Sequence, residues 1–423
     1  MSGLDIQLFS LANLIDPYPA YKQLRDEEPV YFVPEMNLHV ITRYDLLRDV
    51  LKRTDVFSSK FDAFLGGAQQ MAFSSLPEEA QKEAQRIGSQ MVATPPTMLT
   101  LDEPEHTQYR SLVKKLFTVS EIKKSEPDVR RIVDKQIAAM RGHDALDFMQ
   151  TFAFPIPLEI ISDRLGIPEE EKAFFHQAAT AAASGLKMAP ATPEMLLERL
   201  QYGVDLQQLL IRLIEARRVE PRQDMITILA NSKLEEEDRH LTHGEALSIL
   251  NQFLVAGHET TSSTFGWGMF LLCQTPALQD EIRGDEKKIK VFIDEVLRME
   301  APVQGLPRVV TRDTKLGDYD LKAGDVVMVR YGAANRDERQ FENPDEVDVG
   351  REKAGMQMAF GSGVHHCIGA PLARQELSIG FYELMDKFQD FSMDEDKPAP
   401  VPDPSLILRG LPQLHIKYKE QGA

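Results

Sequence analysis

The sequence predicts a mainly α-helical chain with a small β region, and three observations carry that expectation. Leu247 to Cys273 is almost continuously apolar, helical patterns dominate from Val129 to Gln177, and short β-branched runs cluster near 30–60, 303–330 and 400–418. A length of 423 residues would allow two or three domains, yet no Gly/Ser tract, long Pro-rich run, block of like charge or internal repeat divides the chain. Hydrophobic residues make up 43% and charged residues 27%, enough for a large core under a solvated surface. A single domain over 1–423 is therefore expected.

A net charge of −18 argues against a nucleic-acid partner, which needs a basic face, and against an anionic membrane surface. Met1 to Asn13 is too short and too broken by polar residues for a membrane span or an export signal. Two cysteines without such a signal argue against a disulfide framework. A soluble, cytoplasmic monomer is expected.

In chain order, Asp16–Pro17 supplies an N-cap and first-turn pair for a short helix through Glu28. Val30 to Val33 and Leu38 to Thr42 read as a hairpin across Pro34 to Asn37, and Asp45 to Lys52 as helix. From Ser58 to Thr100 the periodicity fails, around Gly66–Gly67, Met71, Met91, Pro95–Pro96 and Met98; long irregular segments of this kind tend to be functional. Asp102 to Phe117 returns to helix and sets His106 and Arg110 four apart on one face. Two such donors suit a pair of carboxylates, though an exposed pair is equally a solvated face.

Breaks are expected at Phe152 to Pro157 and at Gly166 to Pro168. Ala178 to Pro193 reads as a helix–loop–helix lid. Leu196 to Arg217 is an amphipathic helix whose stripe, Leu206, Leu209, Leu210, Leu213 and Ile214, belongs to the core. The apolar stretch 247–273 also holds Gln252, His258, Glu259 and a cluster of hydroxyls, which points to burial in a large domain rather than in lipid. Within it, Ala256 and Gly257 open a groove on the helix, at a cost of about 1 kcal/mol for the glycine. Glu259 and Thr260 set an acid and a hydroxyl beside that groove, and a hydroxyl can bond a carbonyl one turn back. A packing threonine would look the same.

Ile289 to Glu300 is a helix with Glu295 and Arg298 three apart on one face. Tyr319 to Leu321 and Val326 to Val329 read as a small sheet around Lys322 to Asp325, and Leu406 to Leu408 with Leu414 to Ile416 as a last strand pair.

The most informative stretch is Phe360-Gly361-Ser362-Gly363-Val364-His365-His366-Cys367-Ile368-Gly369, followed at once by a helical run to Leu384. Its glycines let the backbone turn sharply and lie close to a flat, bulky object. Cys367 stands at a helix entry, where the dipole and free N–H groups favour a thiolate able to bind a soft or borderline metal. Three adjacent residues cannot converge on zinc, and no Gly-Lys-Ser/Thr follows to make a phosphate loop.

Taken together, F-x-x-G-x-H-x-C-x-G around Cys367 resembles the cysteine-ligand loop of the cytochrome P450 family, A-G-x-E-T-T at 256–261 resembles its oxygen-activation motif, and E-x-x-R at 295–298 falls between them in the family's order. The resemblance covers nearly the whole chain and implies the family's mainly α triangular prism with a small β region. It implies haem (protoporphyrin IX iron) held by Cys367, with Phe360, Gly361, Gly369, Ala256 and Gly257 against the ring. His106, Arg110, Arg308 and His365 would bind its propionates. Thr260 would orient dioxygen and its protons, and Glu259 would relay protons from solvent. Glu295 and Arg298 would buttress the approach to the cysteine. A later arginine in a P-x-R-F context often completes that network; here the segment reads Pro344-Asp345-Glu346-Val347, so Arg336 is taken as the substitute.

The implied function is hydroxylation of a small-to-medium hydrophobic substrate, a terpenoid, steroid or aromatic, with O2. No flavin or Fe–S motif is present, so electrons would come from a 2Fe–2S ferredoxin and its NAD(P)H-dependent reductase, docking near Arg110, Lys114 and Lys115. A peroxide-driven peroxygenase and a non-catalytic haem sensor are the rivals; both lack a need for the Glu259–Thr260 pair. Candidate pocket residues are Met71, Met91, Met98, Leu186, Met188, Gln252 as a polar anchor, Val255, Val303, Leu306 and Ile407.

Overall fold

The longest element is the helix His243–Gln274, 32 residues, in the computed structural model, which describes residues 4, 6–64, 66, 73–185, 191–234 and 237–422. A capping box starts it: Glu245 N donates to the Thr242 hydroxyl, and Thr242 N donates to the Glu245 carboxylate at 2.8 Å. Between Gly244 and Cys273 the one exposed residue is Ala256. Burial on nearly all sides explains why the stretch carries no polar face. Among the described residues no helix is long and apolar enough to cross a membrane.

Helices Pro155–Leu165, Pro193–Val219, Glu286–Met299 and Ala370–Lys387 pack on this central helix, Val119–Met140 packs on the first and last of them, and all share one apolar cluster. The expected stripe from Leu206 to Ile214 is part of that cluster. Small residues bring the helices close. A Cβ on Gly268 would lie 2.4 Å from the Phe381 ring, and one on Gly380 would lie 2.5 Å from the Phe265 ring. Those two rings pack at 5.4 Å across the gap the glycines leave.

At one side lies a five-stranded sheet in the order Val30–Val33, Leu38–Ile41, Val326–Arg330, Gly305–Val310, Phe57–Ser58. Its first two strands form the expected hairpin, Val33 opposite Leu38, with Asn37 left-handed at φ 48°. A second sheet joins Phe388–Met393, His415–Glu420 and Ala145–Asp147.

Several expectations change. Tyr319–Leu321 pairs with Thr314–Leu316 and not with Val326–Arg330, which lies parallel to Leu38–Ile41. The two tail runs also part company, since Leu408 bridges Val303 while His415–Glu420 joins the second sheet. Local composition identifies a strand but not its partner. The irregular segment 58–100 contains the helix Glu78–Gly88, where only Ala84 and Ile87 are buried, so there was no apolar period to read. Phe152 to Pro157 is no break: a wide turn, Met149–Ala153, leads straight into Pro155–Leu165. The first-noted helix begins at Tyr18 with Pro17 at its cap, so Asp16 does not cap it. Gly166 does end a helix, left-handed at φ 86°.

Candidate functional site

The Cys367 loop is closed by its own backbone, Cys367 N donating to Phe360 O at 2.8 Å. Gly361 (φ 67°) and Gly363 (φ 74°) take left-handed conformations, and a Cβ on Gly363 would stand 2.9 Å from Leu51 O. At the start of the helix Ala370–Lys387, the N–H groups of Gly369 and Ala370 point at the sulfur. Burial nevertheless pushes the Cys367 thiol up, against those N–H groups and the Arg110 and Arg374 guanidiniums. The thiolate expected from the helix entry therefore needs a further positive charge at sulfur itself. Cys367 is open at its surface though densely surrounded by protein, whereas Cys273 is closed off altogether, its thiol pushed up to about 12.

Beside this loop the sheet and the helix Glu105–Lys114 bring together donors far apart in sequence. His106 and His365 lie with ring centroids 4.2 Å apart. His106 Nδ1 is 3.1 Å from Glu103 Oε1, which leaves Nε2 as the free end of the ring. Both Nε2 atoms, of His106 and of His365, are buried without a hydrogen-bond partner. Burial, then the Arg308 guanidinium and His106, push the His365 imidazole down to about 3. Arg308 is buried, lies beside Tyr331, donates through Nη1 to Pro307 O at 2.7 Å and lies 5.8 Å over the Phe61 ring. Arg110 donates to His366 O at 2.6 Å, tying helix to loop. Unpartnered buried nitrogens are rare in folded proteins; with Nδ1–H held by Glu103, His106 Nε2 donates only as an imidazolium, whereas His365, Arg308 and Arg110 can donate as they stand. The pocket is thus complementary to carboxylates.

On the central helix, Gln252, Ala256 and Thr260 share one face, the only partly open one. Thr260 Oγ1 donates to Ala256 O at 2.7 Å, the back-bond foreseen for a hydroxyl on this helix. Glu259 is turned away from that face and buried. Its Oε1 lies toward Gly410 of the carboxyl-terminal segment.

Glu295 and Arg298 are both fully buried and joined twice, at 2.7 and 2.9 Å. Arg298 also donates to the carbonyls of Asn335, Pro344 and Glu346. The arginine that completes the pair is Arg351, whose Nε is 3.0 Å from Glu295 Oε1. Arg336 is not that residue; it binds Glu300 and Asp345 instead. Sequence reasoning missed Arg351 because it looked at Pro344 alone. The signal was a lone arginine in the turn Asp348-Val349-Gly350-Arg351, on the way to the cysteine loop.

Among the pocket candidates, Val303 and Ile407 lie together, since Gln304 N donates to Ile407 O at 2.6 Å and Val303 bridges Leu408. Leu306 and Val303 are half-buried against the sheet cluster, and Val255 is half-buried on the central helix. Three candidates are corrected. Met98 is a core residue, 7% exposed. Met91 is exposed, its Cε against Gly203. The Gln252 amide donates to Thr97 Oγ1 and does not stand free as an anchor. Met71, Leu186 and Met188 lie outside the described residues.

The family model described as "Cytochrome P450" matches residues 29–419. "Cytochrome P450 107B1" of Saccharopolyspora erythraea is 32% identical over 98% of this chain and 98% of its own length. "Cytochrome P450 monooxygenase PikC" of Streptomyces venezuelae is 31% identical over 98% of this chain and 94% of its own. The crystal structure of CYP109E1 from Bacillus megaterium in complex with corticosterone superposes with a TM-score of 0.81 at 27% identity, covering 96% of this chain and 99% of that one.

Proposed function

The chain belongs to the cytochrome P450 family of haem-dependent monooxygenases, and on that premise we propose that it hydroxylates a small-to-medium hydrophobic molecule with electrons from a 2Fe–2S ferredoxin and its NAD(P)H-dependent reductase. The observation that carries the assignment of the site is the pair of orphaned nitrogens, His106 Nε2 and His365 Nε2. Haem brings two carboxylates, which His365, Arg308 and Arg110 would receive as donors, with His106 Nε2 joining them as an imidazolium between Glu103 and a propionate. Cys367 would hold the iron, whose charge supplies what the thiolate lacks in the protein alone. Ala256 and Gly257 on one side, and Phe360, Gly361 and Gly369 on the other, would lie against the ring.

Bound there, haem supplies the activation of dioxygen and the insertion of one oxygen atom into the substrate. The side chains do the rest. Gly369 and Ala370 N–H groups orient the Cys367 sulfur. The Thr260 hydroxyl gives its own proton to Ala256 O, so toward the open face it presents lone pairs and can hold a protonated ligand or a water. Handing a proton on requires that back-bond to break, a cost of about 1 kcal/mol. Glu259, one residue earlier, is the acid that replenishes it. Val255, Val303, Leu306 and Ile407 present apolar surface that excludes water, which favours a substrate held by burial more than by hydrogen bonds. The corticosterone bound to a solved relative supports a ligand of that size and polarity.

Reducing the purified protein under carbon monoxide tests the assignment. A Soret band shifted far to the red is expected, and Cys367→Ala removes it. A missing band in the intact protein, or a persisting one in the variant, overturns the proposal. Turnover with hydrogen peroxide alone, at the rate of the ferredoxin system, would replace the electron route.

A further inference from the structure

Residues 409 and 410 of the carboxyl-terminal segment meet the central helix along one stripe, Glu259, Ser263 and Trp267, spaced four apart. Trp267 Nε1 donates to Arg409 O at 3.2 Å, and the Arg409 guanidinium lies 4.7 Å from the indole centroid. The next residue, Gly410, passes the helix with no side chain. A Cβ there would lie 2.6 Å from Ser263 Oγ and 3.6 Å from Glu259 Oε1. The first separation is shorter than a Cβ tolerates, so any other residue requires either the segment or the Ser263 hydroxyl, which donates to Glu259 O at 2.7 Å, to move.

Buried charge behind the segment holds it in register. Arg409 donates through Nε to Glu300 Oε2 at 2.6 Å, through Nη1 to Ile15 O at 2.6 Å, and through its backbone N to Pro302 O at 2.9 Å. Glu300 also accepts from Arg336 Nη2 at 3.0 Å and from the Tyr18 hydroxyl at 2.8 Å. Arg409, Glu300 and Arg336 are 6%, 7% and 8% exposed, and buried charges persist only when each is paired in good geometry. That geometry fixes where residues 409 and 410 sit along the central helix.

We propose that Gly410, staked by Arg409, is a positioning residue for Glu259: the backbone at 410 sets where the acid's carboxylate stands relative to Thr260. This rests on the reading of Glu259 as the acid that replenishes protons at Thr260. A side chain at 410 has to lift the segment or turn the Ser263 hydroxyl away from Glu259 O, which it bonds at 2.7 Å, while the cysteine loop and the carboxylate pocket, built from other elements, stay as they are.

The test uses the substrate-free holoenzyme supplied with a 2Fe–2S ferredoxin and its reductase. Two quantities are read: the H2O/D2O isotope effect on reductant oxidation, and acrylamide quenching of Trp267, the only tryptophan. Gly410→Ala is expected to change both at least twofold with the red-shifted carbon monoxide band intact. The double variant Ser263→Ala/Gly410→Ala removes the oxygen that the new methyl meets and is expected to return both toward the parent, with Ser263→Ala alone as control. Glu259→Gln is expected to change the isotope effect and leave the quenching alone. If Gly410→Ala leaves the isotope effect unchanged while Glu259→Gln alters it, or if Ser263→Ala fails to rescue, the positioning role is overturned and the relay stands. If Glu259→Gln leaves the isotope effect unchanged, the relay itself falls and the positioning role with it.

Discussion

Arg351 and Arg298 both close on Glu295 Oε1, so one fully buried carboxylate is held by two guanidiniums at 3.0 and 2.7 Å. Arg298 in turn gathers the carbonyls of Asn335, Pro344 and Glu346, and Asn335 Oδ1 accepts from Met358 N at 2.7 Å, two residues before Phe360. The cysteine loop is thereby suspended from an ion network, and removing either arginine leaves charge stranded. Arg298→Ala should cost about 3–5 kcal/mol and Arg351→Ala about 2 kcal/mol. Arg336→Ala should spare the loop, because Glu295 keeps both partners. Thermal unfolding with haem content measured alongside checks the order; equal haem loss in Arg336→Ala and Arg351→Ala would contradict it.

The adjacent imidazoles, tilted 49° to one another, predict a graded loss of haem. His106→Ala and His365→Ala each remove one donor to a carboxylate, about 1.5–3 kcal/mol apiece, so haem should transfer to a competing apoprotein at least tenfold faster from either. Because the rings touch, the double variant should fall short of the sum. Unchanged transfer rates would place the propionates elsewhere.

Thr260→Ala should leave haem content and the carbon monoxide band as they are, since the hydroxyl bonds only Ala256 O on its own helix. What should change is the balance of products, with peroxide released in place of hydroxylated substrate. Peroxide counted against reductant consumed decides this; full coupling in the variant would remove Thr260 from the reaction.

Lys114 and Lys115 are exposed where the helix that carries Arg110 ends. Reversing both, Lys114→Glu with Lys115→Glu, should slow reduction by the ferredoxin at low salt and leave binding of a spin-shifting compound unaltered. Reduction rates followed across a salt series test it, since a charge effect fades as ionic strength rises.

Glu376 carries a pH prediction. Burial pushes its carboxyl up to about 8, with Arg164 opposing, and its Oε2 has no partner. The folded value lies above the ordinary 4.5, so the folded state binds the extra proton between those two pH values. Stability from this group is complete below about 4.5 and declines as pH rises toward 8, by up to ~1.4 kcal/mol per pH unit. Glu376→Gln should flatten the decline, which unfolding midpoints measured from pH 5 to 9 would register. A slope identical to the parent would assign the dependence to other groups.

Much of the site was legible because its chemistry is local. The glycines around Cys367 are demanded by left-handed turns and close approach, the Thr260 back-bond by a hydroxyl in a helix, and the pairing of Glu295 with Arg298 by helical spacing. Arg351 and Gly410 were not legible. An arginine in a turn and a glycine in a tail look ordinary until the chain brings them to Glu295 and Glu259. The Glu78–Gly88 helix escaped for the opposite reason, since it is polar on almost every side.

By itself the sequence determined most of the helical segments, which one is buried through the centre, and that a cysteine loop, an acid–hydroxyl pair and an ion pair occur in a fixed order. Only the tertiary structure decided which strands pair, that His106 meets His365 across 259 residues of chain, and which arginine answers Glu295. The division has a physical cause. Backbone torsion and side-chain periodicity act over a few residues and are written in neighbouring letters, whereas a buried charge or an orphaned nitrogen is satisfied by whatever group packing delivers, however distant.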